Sequence, residues 1–501
     1  MSAIPTADDP PRPASAGTTA PLGRSGEAAL RAEIDESCRP VVLFYAASGV
    51  LWLLVGSALA ILASVKLHTP GFLDDWEWLT FGRVRPAHLN TMIYGWASLA
   101  GIGILLWFEV WLCRVRLLLG LLLFATGVIW NAGVAGGTID ILAGNGTSVE
   151  WLEFRPGWAL LFALCFVPVI LASVWMLGTR RAGHIYVSQW YIFGAVLWFP
   201  FLYFFGNITI HLGYVRGVVQ ASANWWFAHN VLGLWLTPIG LASAYYLIPK
   251  VIGRPIYSYH LSILGFWTLA LFYNWAGSHH LIGGPVPAWL VTVGIVGSLM
   301  MFIPVITVAL NHHMTMVGNF RFLRTSPTLR FTVFGAMSYT LVSVQGSLQA
   351  VRSINEVSHF THYTVAHAHL GVYAFYTMIA FGALYYILPR ITGVEWSSAR
   401  LIRVHFWCTA LGMILYWVGL SLGGWEQGLQ MNDASIPFLD IVAMTIPYLW
   451  SRSVAGILLT IGHVAFAILL WRMLHGRGSG RPGPTLFHSF SFRRAAEGGA
   501  A

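Results

Sequence analysis

The sequence predicts an all-α, polytopic membrane protein of about twelve transmembrane helices, and three observations carry that prediction. Of its 501 residues, 57% are hydrophobic and only 9% are charged, against roughly 25% charged in a soluble domain. Apolar stretches long enough to cross a bilayer as helices recur along nearly the whole chain. Basic residues gather in alternate connections between those stretches, the signature of membrane orientation. The net charge of +9 is explained by these loops and gives no reason to expect nucleic acid as a partner.

Taken in order, residues 1–35 are rich in Pro, Ala, Gly and Ser with mixed charges, and read as a disordered cytoplasmic tail. No apolar core with a cleavage site precedes the first span, so no cleaved signal peptide is expected. A transmembrane domain covers 36–476, and 477–501 form a second cytoplasmic tail. Spans are predicted at about 40–65, 86–112, 115–144, 157–178, 188–213, 221–248, 258–282, 287–311, 329–351, 363–388, 402–423 and 452–475. Arg114, Arg116, Arg180, Arg181, Lys250, Arg254, Arg321, Arg324, Arg390 and Arg400 mark one set of loops. Asp74, Asp75, Glu77, Glu150, Glu153, Asp433 and Asp440 mark the other. Both termini are therefore expected in the cytoplasm. The four cysteines are scattered, with no C-x-x-C or C-x-x-C-H run, and read as packing residues.

Histidines stand out in these spans because an ionisable group in lipid is costly and is usually kept for a function. His88, His229, His279, His280, His367 and His369 lie on four spans. Given the predicted orientation, all six fall in the outer half of the membrane, where chance scatter would use both halves. His367 and His369 are two residues apart, so their rings leave one helix about 200° apart and can serve two different centres. Imidazole suits iron and copper and is a common axial ligand of haem. Six ligands divide as two facing each other across a low-spin haem, one on a haem with an open face, and three around a copper-like site.

Four motifs resemble the catalytic subunit I of haem–copper oxygen reductases, most closely the cbb3-type cytochrome c oxidases. They are Arg85-Pro-Ala-His88, Trp226-Phe-Ala-His-Asn-Val-Leu-Gly233, Tyr273-Asn-Trp-Ala-Gly-Ser-His-His280 and Asn355-Glu-Val-Ser-His-Phe-Thr-His-Tyr-Thr-Val-Ala-His-Ala-His369. The resemblance covers about residues 40–475 and implies twelve helices in the bacterial cytoplasmic (inner) membrane. It implies that His88 and His369 bind low-spin haem b, that His367 is the proximal ligand of a high-spin, b3-type haem, and that His229, His279 and His280 bind copper. Tyr273 would be a redox-active tyrosine bonded covalently to His229; it also precedes His280 by seven residues, two turns on one face. Arg85 and His359 match positions near haem propionates, where a cation stabilises carboxylates; Arg83 and Arg352 are placed to share that role. Ser262, three turns before Tyr273, is expected in a proton path from the cytoplasm, against the alternative that its hydroxyl bonds back to its own helix. Glu150 lies in a loop that loosely resembles a calcium-binding loop; a hard cation needs further oxygens there, and a solvated glutamate is the competing reading. Without a haem c motif or a copper pair in this chain, electrons are expected from a c-type cytochrome subunit on the outer face. The implied reaction is reduction of O2 to water.

Two departures matter. Gln345 stands where the family usually has a glutamate, and His362 where it has aspartate. The run Ala366-His-Ala-His369 is also similar to the related nitric oxide reductases, which makes nitric oxide reduction the alternative function. Those enzymes use non-haem iron, which favours an added carboxylate; here that position is Gly233, and Tyr273 is a residue they lack. Twelve helices also suit a secondary transporter, but the sequence offers no convincing repeat and carries six clustered histidines.

Overall fold

The computed structural model describes residues 24–213 and 215–478. Among these, twelve long helices run in sequence: α1 (Arg24–His68), α2 (Phe81–Cys113), α3 (Gly120–Leu142), α4 (Pro156–Gly178), α5 (Val187–His211), α6 (Gly217–Ile252), α7 (Tyr259–Ala276), α8 (Ala288–Met316), α9 (Pro327–Gln349), α10 (His362–Thr392), α11 (Ala399–Met431) and α12 (Phe438–Leu474). A 3-10 turn, Gly277–Leu281, extends α7. Ten of the twelve are long and apolar enough to cross a membrane; α7 and α9 are the others. The polarity of α9 faces inward, since Ser338, Tyr339, Gln345, Ser347 and Gln349 are all buried.

Helix ends follow local chemistry. Ser258, Thr361, Ser326 and Ser398 cap α7, α10, α9 and α11 by accepting from backbone N–H groups. Gly253 and Gly393, both at positive φ, end α6 and α10. Two boundaries depart from expectation. α1 begins at Arg24, so residues 24–35, expected in the disordered tail, are helical; residues 1–23 lie outside the described residues, as does the second tail beyond 478. α12 begins at Phe438, not near 452, which draws Arg452 into the span. Among the described residues all four cysteines are free.

Three helices form the centre. The most apolar windows of α2, α6 and α10 are 89%, 94% and 89% buried, whereas those of the other apolar helices reach only 39–50%. Each inner helix widens to a π-helix just after a histidine: Thr91–Ala97 after His88, Leu232–Leu236 after His229, and Leu370–Thr377 after His367 and His369. Such segments add a residue per turn and commonly mark functional sites. The carbonyls they displace are taken up by hydroxyls: Ser98 donates to Ile93 O and Thr377 to Val372 O. The three segments are tied to one another. Trp96 Nε1 donates to Thr377 Oγ1, Trp235 Nε1 to Ser98 Oγ, and Tyr376 OH to Ala97 O. The repeat that hydropathy does not reveal is thus a local one: Ala-His followed by a π segment, three times.

Candidate functional site

His229 on α6 meets His279 and His280 at the end of α7, and one nitrogen of each lies within 4.8 Å of the others. Among the described residues this is the one cluster with three candidate metal ligands. Glycines make the approach possible. A Cβ at Gly277 would lie 2.7 Å from Trp225 O and 3.0 Å from His229 Cβ, so only glycine lets the end of α7 close on α6. The proton positions follow from the partners. Ser298 gives its hydrogen to Gly294 O and therefore accepts from His279 Nδ1 at 2.8 Å. That leaves Nε2 of His279 as the lone-pair nitrogen, the tautomer a metal needs. His229 Nδ1 is buried with no protein partner. The Trp225 ring stacks on His280 at 4.2 Å and holds its plane.

Tyr273 lies where the spacing places it. Its ring stacks on His229, centroids 4.3 Å apart. It fills the space above Gly233, and a Cβ on that glycine would collide with the phenol ring. A carboxylate at Gly233 therefore has no room.

On α10, His367 backs onto α9 at Gly346, where a Cβ would lie 2.7 Å from its Cε1. Its Nδ1 is buried and unpartnered. Beside Gly346, Gln345 accepts from Trp417 Nε1 at 3.1 Å while its own Nε2 has no partner. His88 and His369 are held differently. Nδ1 of His88 donates to Gly56 O, and Nδ1 of His369 to Val365 O, both at 2.9 Å. Both Nε2 atoms thus remain lone-pair donors. Tyr416 lies against the His369 ring at 4.5 Å, and the Arg452 guanidinium lies over the Tyr416 ring at 5.9 Å. The donor set fits the groups that the motifs imply: buried and half-buried imidazoles, three converging and three singly presented, with ring nitrogens left uncommitted.

The peripheral assignments fare less evenly. Arg85 pairs with Glu150 at 2.5 Å, and Glu150 belongs to no cluster of candidate ligands among the described residues. That carboxylate serves an ion pair. His359 stacks on Phe360 at 3.9 Å and bonds to the backbone of His280 and Ile282, so it braces the three-histidine cluster. Burial lowers its affinity for a proton below that of a free imidazole. Ser262 donates to Tyr259 O of its own helix at 2.6 Å, the alternative reading of this residue. Near Tyr273 is also a group that spacing did not reveal. Tyr339 on α9 is within electrostatic reach of Tyr273, and Tyr191 and Tyr245 are within reach of Tyr339. Tyr245 stacks on Tyr191 at 5.8 Å and meets His312 edge-on at 4.5 Å. The Tyr191 hydroxyl and both His312 nitrogens are buried without protein partners. The sequence signal for His312 was a histidine one residue beyond the predicted span 287–311.

Comparison with known proteins agrees with this geometry. Residues 40–458 match the family described as cytochrome c and quinol oxidase polypeptide I. The cbb3-type cytochrome c oxidase subunit CcoN1 of Stutzerimonas stutzeri is 31% identical over 445 residues, covering 86% of this chain and 94% of that protein. Cytochrome c oxidase subunit 1 of Rhodobacter capsulatus is 30% identical over 84% of this chain and 82% of its own length. A nitric oxide reductase subunit, also of Stutzerimonas stutzeri, is 27% identical over 48% of this chain and 53% of its own length. A solved haem–copper terminal oxidase dimer superposes with a TM-score of 0.71 at 15% identity, over 87% of this chain and 84% of that one, which establishes the likeness of fold.

Proposed function

The chain belongs to the cytochrome c and quinol oxidase polypeptide I family, and we propose that it is the catalytic subunit of a cbb3-like terminal oxidase reducing O2 to water. The observation that carries this reading is the Tyr273 ring stacked on His229 over Gly233. It puts a phenol at the three-histidine cluster and denies the site an added carboxylate.

In this reading His229, His279 and His280 hold copper, His367 holds a high-spin haem, and His88 with His369 hold low-spin haem b. When bound, these groups supply the electrons and the open coordination position that O2 needs. The chain does the rest. Ser298 and Trp225 fix the orientation of two copper ligands, and the Gly56 and Val365 carbonyls fix two haem ligands. Tyr273 gives up its phenolic hydrogen at the site and is joined to His229 by the covalent bond the family implies. Restoring it takes one electron, which the c-type cytochrome would supply, and one proton, which comes from the cytoplasmic side through His312, Tyr245, Tyr191 and Tyr339. Their burial without full pairing suits groups that exchange protons. A c-type cytochrome subunit delivers electrons at the outer face of the bacterial inner membrane, and both termini lie inside.

Metal analysis of the purified complex, with O2 and nitric oxide turnover on one sample, tests this. One copper per two haems in this chain and O2 consumption are expected. Iron in place of copper, with nitric oxide consumed and little O2 used, would assign the chain to the nitric oxide reductases.

A further inference from the structure

Three buried side chains from three helices form one hydrogen-bonded row beside the His88/His369 pair, and none of the chemistry above uses it. His463 of α12 is 2% exposed. Its Nδ1 lies 2.7 Å from Ser57 Oγ of α1, and its Nε2 lies 2.5 Å from Tyr373 OH of α10. The hydrogens can be assigned. Ser57 gives its single hydrogen to Leu53 O at 2.6 Å, so it accepts from His463, and Nδ1 carries the N–H. Nε2 of the neutral ring is then the acceptor, and the Tyr373 hydroxyl donates to it.

Both ends of the row are anchored to the elements that hold the pair. Ser57 follows Gly56, whose carbonyl accepts from His88 Nδ1. Tyr373 follows His369 by four residues on α10, about one turn. A glutamine could satisfy the same two partners, donating to Ser57 and accepting from Tyr373. What imidazole adds over an amide is the capacity to bind a proton near neutral pH.

We propose that His463 is the proton-holding residue of the low-spin haem site, binding one proton at Nε2 when that site gains an electron and releasing it when the electron moves on. The proposal rests on the reading of His88 and His369 as haem ligands. The balance is simple. The electron comes from the reduced c-type cytochrome, which is oxidised, and the proton comes from the aqueous phase, so the site gains no net charge. On protonation Nδ1 keeps its bond to Ser57. The new Nε2–H is accepted by the Tyr373 oxygen, whose own hydrogen rotates away. No other bond is made or broken.

The groups facing the ring are few. α10 contributes Tyr373 and α1 the neutral Ser57. α11 contributes His405, which is within electrostatic reach of His463. The Phe381 ring, 4.3 Å from His405 and 6.1 Å from His463, is packed against both. His405 Nδ1 is itself bonded to Tyr385 OH at 2.9 Å.

Potentiometric titration of the low-spin haem in the whole complex, followed by absorbance at several pH values, tests the assignment. The wild-type midpoint potential should fall as pH rises, with a slope of one proton per electron across part of the range. His463→Gln should retain the low-spin spectrum and lose at least half of that slope. Tyr373→Phe, which removes the partner of Nε2, should keep the slope but move the pH range in which it occurs. A His463→Gln slope equal to wild type overturns the proposal. So does a Tyr373→Phe profile that coincides with wild type, which decides the matter even where the glutamine variant does not assemble. Absence of a low-spin spectrum from the wild-type complex would instead overturn the ligand reading beneath it.

Discussion

The two kinds of histidine site in this molecule are built by opposite means. His88 and His369 are each locked by a hydrogen bond from Nδ1 to a carbonyl within the helical framework. The three-histidine cluster is assembled across a helix junction, from the π-helical side of α6 and a 3-10 turn that ends α7. One of its rings, His229, has a nitrogen with no protein partner. A ligand pair locked to backbone suits a centre that only passes electrons, because its geometry need not change. A cluster with a ring nitrogen left uncommitted suits one that must bind a metal.

The largest expected effect separates the two sites. His88→Ala should remove the low-spin haem spectrum while leaving copper near its wild-type content. His280→Ala should leave that spectrum intact and remove copper. Either change should cut O2 turnover at least about a thousandfold, since losing a bound metal or its electron supply forfeits several kcal/mol of barrier lowering. Loss of both spectra in His88→Ala would show that the sites are not independent and would break the comparison. A smaller effect is expected at Gly233. Even an alanine there collides with the Tyr273 ring, and an ångström of displacement at a reacting group costs about a hundredfold in rate. Gly233→Ala should therefore keep both haems and copper but lose turnover on that scale. Retention of full turnover would mean that the position of Tyr273 does not matter.

What could be read in advance was whatever one span and its loops determine. The common depth expected of six histidines rests on apolar run length and loop charge, both local properties. His279 and His280 are sequence neighbours, and Tyr273 precedes them on the same span, made of α7 and the 3-10 turn that extends it. Contacts between distant segments were not legible: Ser57, Tyr373 and His463 meet only after α1, α10 and α12 pack. The π segments escaped as well, since neither propensity nor periodicity encodes an extra residue in a turn. Hydropathy puts Arg452 at the edge of a span, because the strongly apolar run begins there. The helix starts at Phe438, which leaves a cation over Tyr416 at the His369 ring. Glu150 and Ser262 each have a near partner, Arg85 and Tyr259 O respectively; the first comes from a distant segment and was not legible, while the second was the competing reading of a helical serine.

Gln345 sharpens the comparison on a finer scale. Its buried Nε2 has no partner, an arrangement that costs about 1–3 kcal/mol. Gln345→Glu replaces that donor with a group that titrates. O2 turnover should change by less than about tenfold, and its pH profile should acquire a new step that the amide cannot produce. An unaltered profile would show that position 345 does not take part in proton handling.

The smallest effect is expected behind the locked pair, in the loop between α3 and α4. Glu153 accepts from Asn90 Nδ2 at 2.9 Å, two residues after His88, and is 3% exposed. Burial, opposed by hydrogen bonds from Asn90 and the backbone, pushes its carboxyl up to about 7. The native state therefore holds this proton at pH values where the unfolded chain has lost it. Stability from this group is fully present below the ordinary carboxyl range and is lost as pH rises from there to about 7. The loss amounts to about 3 kcal/mol, from roughly 1.4 kcal/mol per pK unit. Glu153→Gln mimics the protonated acid, so its thermal stability in detergent should vary less with pH than that of the wild type. The two proteins should come closest near pH 4, at the acid end of the range, and the variant should be the more stable at pH 8. Because Asn90 belongs to the turn that carries His88, the wild-type low-spin haem should also be released more readily at pH 8 than in the variant. Equal melting temperatures for both proteins across this range would place the loop outside the support of that pair.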